Sequence, residues 1–155
     1  MINHKVSAID LWAAYKKINP DISDKFGSFQ FGGAPDLLAS LVSLHIKTAT
    51  SSGYELYKLE NEPLPMVGSY DVVLDSKNNA ICIIKTIAVN LVAFGQVSSE
   101  HAFKEGEGYR SLEYWRKVHL DFFSPYYKEA GLSFTEDSLL VLEEFECVFS
   151  IEEMR

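Results

Sequence analysis

A chain of 155 residues has the length of one ordinary domain, and with 47% hydrophobic residues it can bury a core without disulfide or metal staples. Its formal net charge of -8 argues against tight, sequence-independent binding to long duplex DNA, where lysines and arginines must neutralise the phosphates. The charge leaves room for a nucleoside, or a short flipped-out nucleotide, in a local pocket.

Along the chain, Ser7-Ala8-Ile9-Asp10 resembles a capping box with Asp in place of Glu. It opens a helix to about Ile18 with Ile9, Trp12 and Ala13 on one face, and Asn19-Pro20 ends it. Residues 21–34 are rich in Gly and Phe and predict an ordered loop that packs Phe26, Phe29 and Phe31. Pro35-Asp36 starts a second helix to about Leu44, with proline at a tolerated first-turn position. Tyr54, Leu56 and Tyr57 then precede Pro63 and Pro65. Val67-Gly68-Ser69 turns into a strand near 70–75, and residues 75–79 have the composition of a hairpin turn.

Ala80 to Val92 is β-rich and long for one straight strand. Ser98-Ser99-Glu100 caps a short helix to about Lys104, and Glu105-Gly106-Glu107-Gly108 breaks it. Ser111 caps a longer helix whose Leu112, Trp115, His119, Phe122, Phe123 and Tyr126 form an aromatic inner face, with Gly131 beyond its end. In the final strand, about 138–149, Val141, Glu143, Phe145, Cys147 and Phe149 alternate toward one side. Two helices, strands, two helices and a closing strand predict an α+β fold, a small curved sheet or barrel flanked by helices.

The chain has no basic-then-apolar leader and no apolar run near the roughly 20 residues of a membrane span, so a cytoplasmic protein with no membrane partner is expected. Cys82 and Cys147 lie in apolar runs without a partner at ligand spacing, which reads as two reduced, buried strand residues.

The candidate chemistry begins with Lys47-Thr48-Ala49-Thr50-Ser51-Ser52. The three-residue step from Lys47 to Thr50 places both on one face of a helix but on opposite faces of a strand. The helix is expected to end near Lys47. A partly desolvated lysine can act as a base or oxyanion partner, and a hydroxyl beside it can become a nucleophile. The same residues also fit a solvated lysine followed by a Thr/Ser edge strand.

A second cluster is Glu105 and Glu107 with His101 just upstream, where Gly106 and Gly108 allow a turn that aims a carboxylate into a cleft. A solvated acidic loop is the alternative. His4, His45, His101 and His119 are scattered, so no metal site is expected, and His119 reads as a core histidine. Tyr114, Arg116 and Lys117 read as outward-facing. No phosphate-cradling glycine pattern of the Walker or Rossmann type is present.

Four segments in order, Lys47 to Ser52, Pro63 to Gly68, Glu100 to Gly108 and Arg110 to Arg116, resemble the ASCH domain superfamily, and in particular a bacterial branch with a helical N-terminal extension. The resemblance covers about residues 26–149. It implies a single PUA-like domain over 1–155, a small β-barrel flanked by helices, with the extension at about 1–45. It also implies a cleft lined by the Lys-x-x-Thr segment, in a superfamily linked to RNA binding and to nucleoside chemistry.

One small branch removes the acetyl group from N4-acetylcytidine with a lysine, a threonine and a glutamate, which correspond to Lys47, Thr50 and Glu105. The superfamily's Gly-x-Lys-x-x-Thr-x-Arg pattern has His45 in place of Gly and Ser52 in place of Arg, which removes a planar donor for phosphate or carbonyl. The expectation is a cleft that binds RNA, a nucleotide or a nucleoside-like ligand, with Ser51, Ser52, Tyr54, Arg110 and Trp115 as ligand contacts. Its alternative is an amidohydrolase with Thr50 as nucleophile, Lys47 as base and Glu105 as proton shuttle. No cofactor is implied, and self-association is left open. Lys47→Ala is expected to abolish ligand binding or turnover with little change in thermal midpoint.

Overall fold

The computed structural model describes residues 5–154, so His4 lies outside the described residues. Five α-helices and five strands follow as α1 Ala8–Ile18, β1 Gly27–Gln30, α2 Pro35–Ser43, β2 Ala49–Gly53, α3 Tyr54–Leu59, β3 Tyr70–Leu74, β4 Ala80–Ala93, α4 Ser99–Glu105, α5 Leu112–Glu129 and β5 Leu139–Ser150. The strands form one mixed sheet in the order β1-β3-β4-β5-β2. Residues 80–92, long for one straight strand, lie within one continuous strand, β4. None of the described helices is long and apolar enough to cross a membrane.

The chain divides into two compact units. The first comprises the described parts of 1–46, 67–87 and 145–155. Ser7 caps α1 by accepting from the Asp10 amide at 3.1 Å. The buried face of α1 is Leu11, Trp12 and Tyr15; Ile9 is 72% exposed and Ala13 is exposed as well, so only Trp12 of the expected face is correct. The apolar arc runs through 8, 11, 12 and 15, one helical step away from the face first expected. The Phe- and Gly-rich stretch contains β1, which pairs in parallel with β3. A four-residue strand whose partner lies beyond two further helices leaves no local periodicity to read.

Helix α2 buries Leu38, Ala39 and Val42 on Phe31, Val73, Cys82, Ile84 and Phe145. The hairpin between β3 and β4 closes on Asp75, whose carboxylate accepts the amides of Lys77 and Asn79 at 2.9 Å each. Both cysteines are free, and Cys147 is only partly buried, in contrast to the expectation for it.

The second unit comprises 47–66 and 88–144. Here β2 pairs antiparallel with β5, from Ala49 opposite Glu144 to Gly53 opposite Leu140. Its core joins Phe94, Val97, Ala102, Trp115, Phe123, Tyr127, Leu140 and Leu142. Ser98 and Ser111 cap α4 and α5 through the amides of His101 and Tyr114. The buried face of α5 is Trp115, His119, Phe123 and Tyr127, a run of four-residue steps; Phe122 and Tyr126 are 37% and 52% exposed. At the start of β5, Leu140, Val141 and Leu142 are all buried, so that end is covered on both faces and does not alternate.

Candidate functional site

The candidate site lies within the second unit, where β2, α4, the 106–108 turn and α5 meet around one buried carboxylate. Helix α2 ends at Ser43, and His45 takes a left-handed φ of 63°, a conformation glycine adopts without steric cost. Thr48 N–H then donates to the Lys104 carbonyl at 2.7 Å, fixing the entry into β2 against the end of α4.

Lys47 is 2% exposed. Its ammonium donates to Glu107 Oε2 at 3.0 Å and to the Glu105 carbonyl at 3.3 Å, and lies 3.6 Å from Glu105 Oε1. Glu105 is 1% exposed and accepts on all sides. Ser51 Oγ donates to Oε2 at 2.5 Å and Trp115 Nε1 at 2.7 Å, with His101 Nε2 at 2.9 Å. His119 Nε2 lies 3.2 Å from Oε1. Burial pushes the Glu105 carboxyl up, but the hydrogen bonds from His101 and His119 and the charge of Lys47 outweigh it and hold the group well below the usual carboxylate range. Glu105 is therefore a fixed anion around which a hydroxyl, an indole, two imidazoles and an ammonium are oriented.

His119 Nδ1 faces the Trp115 carbonyl at 2.8 Å while Nε2 faces the carboxylate. The ring thus bridges the Trp115 carbonyl and the Glu105 carboxylate. The His119 ring also stacks on Trp115 at 4.2 Å between centroids, and Phe94 stacks on Trp115 at 5.6 Å.

The sequence-predicted residues separate into two groups. Lys47 and Glu105 come together with Ser51. Thr50 does not join them: it precedes Ser51 on β2, and successive strand side chains point to opposite faces. Trp115 is in the site, but as a buried donor to Glu105; with Phe94 and His119 on its faces it offers no free surface for stacking on a ligand. Ser52 Oγ meets Tyr57 OH at 2.9 Å. Tyr54 lies under Lys58, whose Nζ is 4.9 Å from the ring centroid. Arg110 packs over the Phe103 ring at 3.6 Å and donates to the Phe103 carbonyl, outside the Glu105 cluster.

His119 is the buried, hydrogen-bonded core histidine expected from its aromatic helix face; its contact with Glu105 was not expected. Its four-residue step from Trp115 was the available signal, since those two rings reach the same carboxylate.

Glu105, Glu107 and His119 place ligand atoms within 4.8 Å of one another, a spacing that a metal ion can span. The Lys47 ammonium, in contact with both carboxylates, already supplies the cation there.

Beside this cluster, Ser51, Ser52, Gly53, Leu56, Tyr57, Glu60, Glu62, Phe122, Phe123 and Tyr126 line a cavity of about 340 Å³. Ser51 belongs to both the cavity wall and the Glu105 cluster. The aromatic side chains of α5 that the core leaves exposed, Phe122 and Tyr126, form part of this wall. Gly53 is required where it stands, because a Cβ would lie 2.6 Å from Tyr127 Oη.

The family model described as ASCH domain matches residues 27–149. A crystal structure of an ASCH domain from Lactobacillus crispatus JV V101 aligns with a TM-score of 0.81 at 32% identity, over 89% of this chain and 93% of that one. A crystal structure of a protein from Enterococcus faecalis V583 aligns with a TM-score of 0.79 at 33% identity, over 90% of this chain and 86% of that one. A comparison with curated proteins finds no match. The α+β, PUA-like fold expected from the sequence is the fold of these structures, and the chain belongs to the ASCH domain family.

Proposed function

We propose that the protein binds a neutral, nucleoside-like small molecule in the cavity walled by Ser51, Tyr57, Phe122 and Tyr126. The observation that carries this reading is that Ser51, a wall residue, is hydrogen-bonded to the buried Glu105 beside Lys47. The cavity is of a size used for small ligands, roughly 300–1,000 Å³, and combines aromatic rings with hydroxyls, the mixture that stacks on a base and reads its polar edge. Glu60 and Glu62 make the exposed rim acidic, which favours an uncharged ligand over an RNA strand whose phosphates would meet like charge.

A second reading, hydrolysis of an acyl amide on such a ligand, is favoured by the position of the Ser51 hydroxyl between Glu105 Oε2 and His101 Nε2, at 2.5 and 2.9 Å. Attack by Ser51 Oγ on the acyl carbon would pass the hydroxyl proton toward the leaving nitrogen as the C–N bond breaks. Water would then release the acid from the acyl-serine. Lys47 would stabilise negative charge developing on the acyl oxygen. Family resemblance assigns the nucleophile to Thr50 instead.

The test is calorimetric titration with cytidine, cytidine monophosphate and a short single-stranded RNA, followed by chromatography of N4-acetylcytidine incubated with wild type and Ser51→Ala. Saturable binding of cytidine with weaker binding of the monophosphate supports the ligand reading. Release of cytidine by wild type alone supports hydrolysis through Ser51. Preference for RNA over both small ligands would overturn the neutral-ligand reading.

A further inference from the structure

Within the first unit, two thiols lie on neighbouring strands. Cys82 lies on β4 and Cys147 on β5, strands adjacent in the sheet. Cys82 is fully buried in the cluster of Phe31, Val73 and Phe145, and Cys147 packs against that same cluster while remaining partly exposed. Both thiols therefore border one core cluster from neighbouring strands. Where residues of neighbouring strands face each other, their Cα atoms lie roughly 4.5–5.5 Å apart, within the range a disulfide spans.

We propose that Cys82 and Cys147 are a peroxide-sensitive thiol pair that closes to an intramolecular disulfide, clipping β4 to β5. In the first step the Cys147 sulfur attacks one oxygen of hydrogen peroxide; the O–O bond breaks, giving a sulfenic acid on Cys147 and, with the thiol proton, water. In the second step the Cys82 sulfur attacks the Cys147 sulfur; the S–S bond forms, the S–O bond breaks, and the hydroxyl leaves with the Cys82 proton as a second water. Two thiols are oxidised and one peroxide is reduced, so the balance needs no other reactant.

The order of attack follows from the environments. Cys147 is the sulfur that solvent reaches. The neighbouring Cys82 thiol lowers Cys147 below the ordinary thiol value, ahead of the opposing effect of burial. The neighbouring Cys147 thiol, together with burial, raises Cys82. The 65-residue separation in sequence hides this pair from any reading of spacing.

The test treats folded wild type, Cys82→Ala and Cys147→Ser with hydrogen peroxide, then measures intact mass and counts thiols with a maleimide after denaturation. Wild type is expected to lose the mass of two hydrogens and both reactive thiols, stay monomeric on a non-reducing gel, and recover both on reduction. Cys82→Ala is expected to gain oxygen at Cys147 without losing hydrogen, and Cys147→Ser to stay unchanged under the same dose. Wild type that keeps both thiols, gains only oxygen, or links into dimers would overturn the proposal. The buried substitution could disturb folding, but the wild-type mass change and the exposed-side Cys147→Ser variant test the pair without it.

Discussion

The Ser51 hydroxyl lies 2.5 Å from Glu105 Oε2, whereas Thr50, its neighbour on β2, belongs to the opposite strand face. The one-residue phase of a short edge strand therefore separates two candidate nucleophiles. If N4-acetylcytidine is hydrolysed, Ser51→Ala should lower kcat by roughly 100-fold or more, with ligand affinity changed little. Thr50→Val should keep most of the rate. Loss of activity in Thr50→Val alone would assign the chemistry to the other face, as the family resemblance implies.

Lys47 makes a stability prediction opposite to the one drawn from its sequence context. A solvated lysine can be removed at little cost, but this one is 2% exposed and held between two carboxylates. Taking away one partner of a buried ion pair leaves an uncompensated charge and costs roughly 3–5 kcal/mol. Lys47→Met, which keeps the length of the chain, should lower the thermal midpoint by on the order of 10 °C in a protein of this size. Circular dichroism melts read this directly. An unchanged midpoint would mean that Glu107 swings out and water takes the place of the ammonium. Loss of binding in a Lys47 variant is therefore interpretable only beside its melt.

Helix starts were legible because a cap is a local device: Ser7, Ser98 and Ser111 each accept the amide three residues on, and each was readable in its own tetrapeptide. Lys47 and Glu105 were legible through resemblance, and the structure brings them together. Two kinds of feature were not. Phase within an element was missed at α1, where Leu11 and Tyr15 rather than Ile9 and Ala13 are buried, while at β2 two adjacent hydroxyl residues compete and Ser51 is the one that faces Glu105. Apolar and small polar residues there occupy both candidate faces, so tertiary packing decides. Long-range convergence was missed as well: His119 and His101 lie on different helices and meet at one carboxylate, and β1 exists only because β3 is beside it.

The Glu105 carboxyl gives a pH dependence whose sign can be worked out. Its folded value lies well below the ordinary 4.5, so at acid pH the unfolded chain binds the proton that the native state resists. The stabilisation is complete above about 4.5 and drains away as pH falls through the lower folded value. Glu105→Gln removes this linkage. Urea midpoints measured from neutral to strongly acid pH should fall less steeply for Glu105→Gln than for wild type, even though the variant starts lower. Parallel acid limbs would show that other carboxylates set the acid sensitivity, and that Glu105 titrates near its unfolded value.

The acidic rim makes the last prediction, and it separates a small neutral ligand from a polyanion. Glu60 and Glu62 are exposed members of the cavity wall, so they cannot form buried pairs and act on a ligand mainly through the solvent-screened field at the mouth. A phosphate on the ligand would lie in that field, whereas an uncharged nucleoside would feel little of it. Wild type should bind cytidine several-fold more tightly than cytidine monophosphate at low salt, with the gap closing as salt rises over a Debye length of about 10 Å at 0.1 M. Glu60→Gln with Glu62→Gln should narrow the gap by strengthening monophosphate binding while leaving cytidine nearly unchanged. Because both positions are exposed, the double variant should melt with wild type, so any change in selectivity reports charge rather than folding. A gap insensitive to both salt and the double substitution would place the phosphate away from this rim, and the acidic mouth would then carry no weight against RNA.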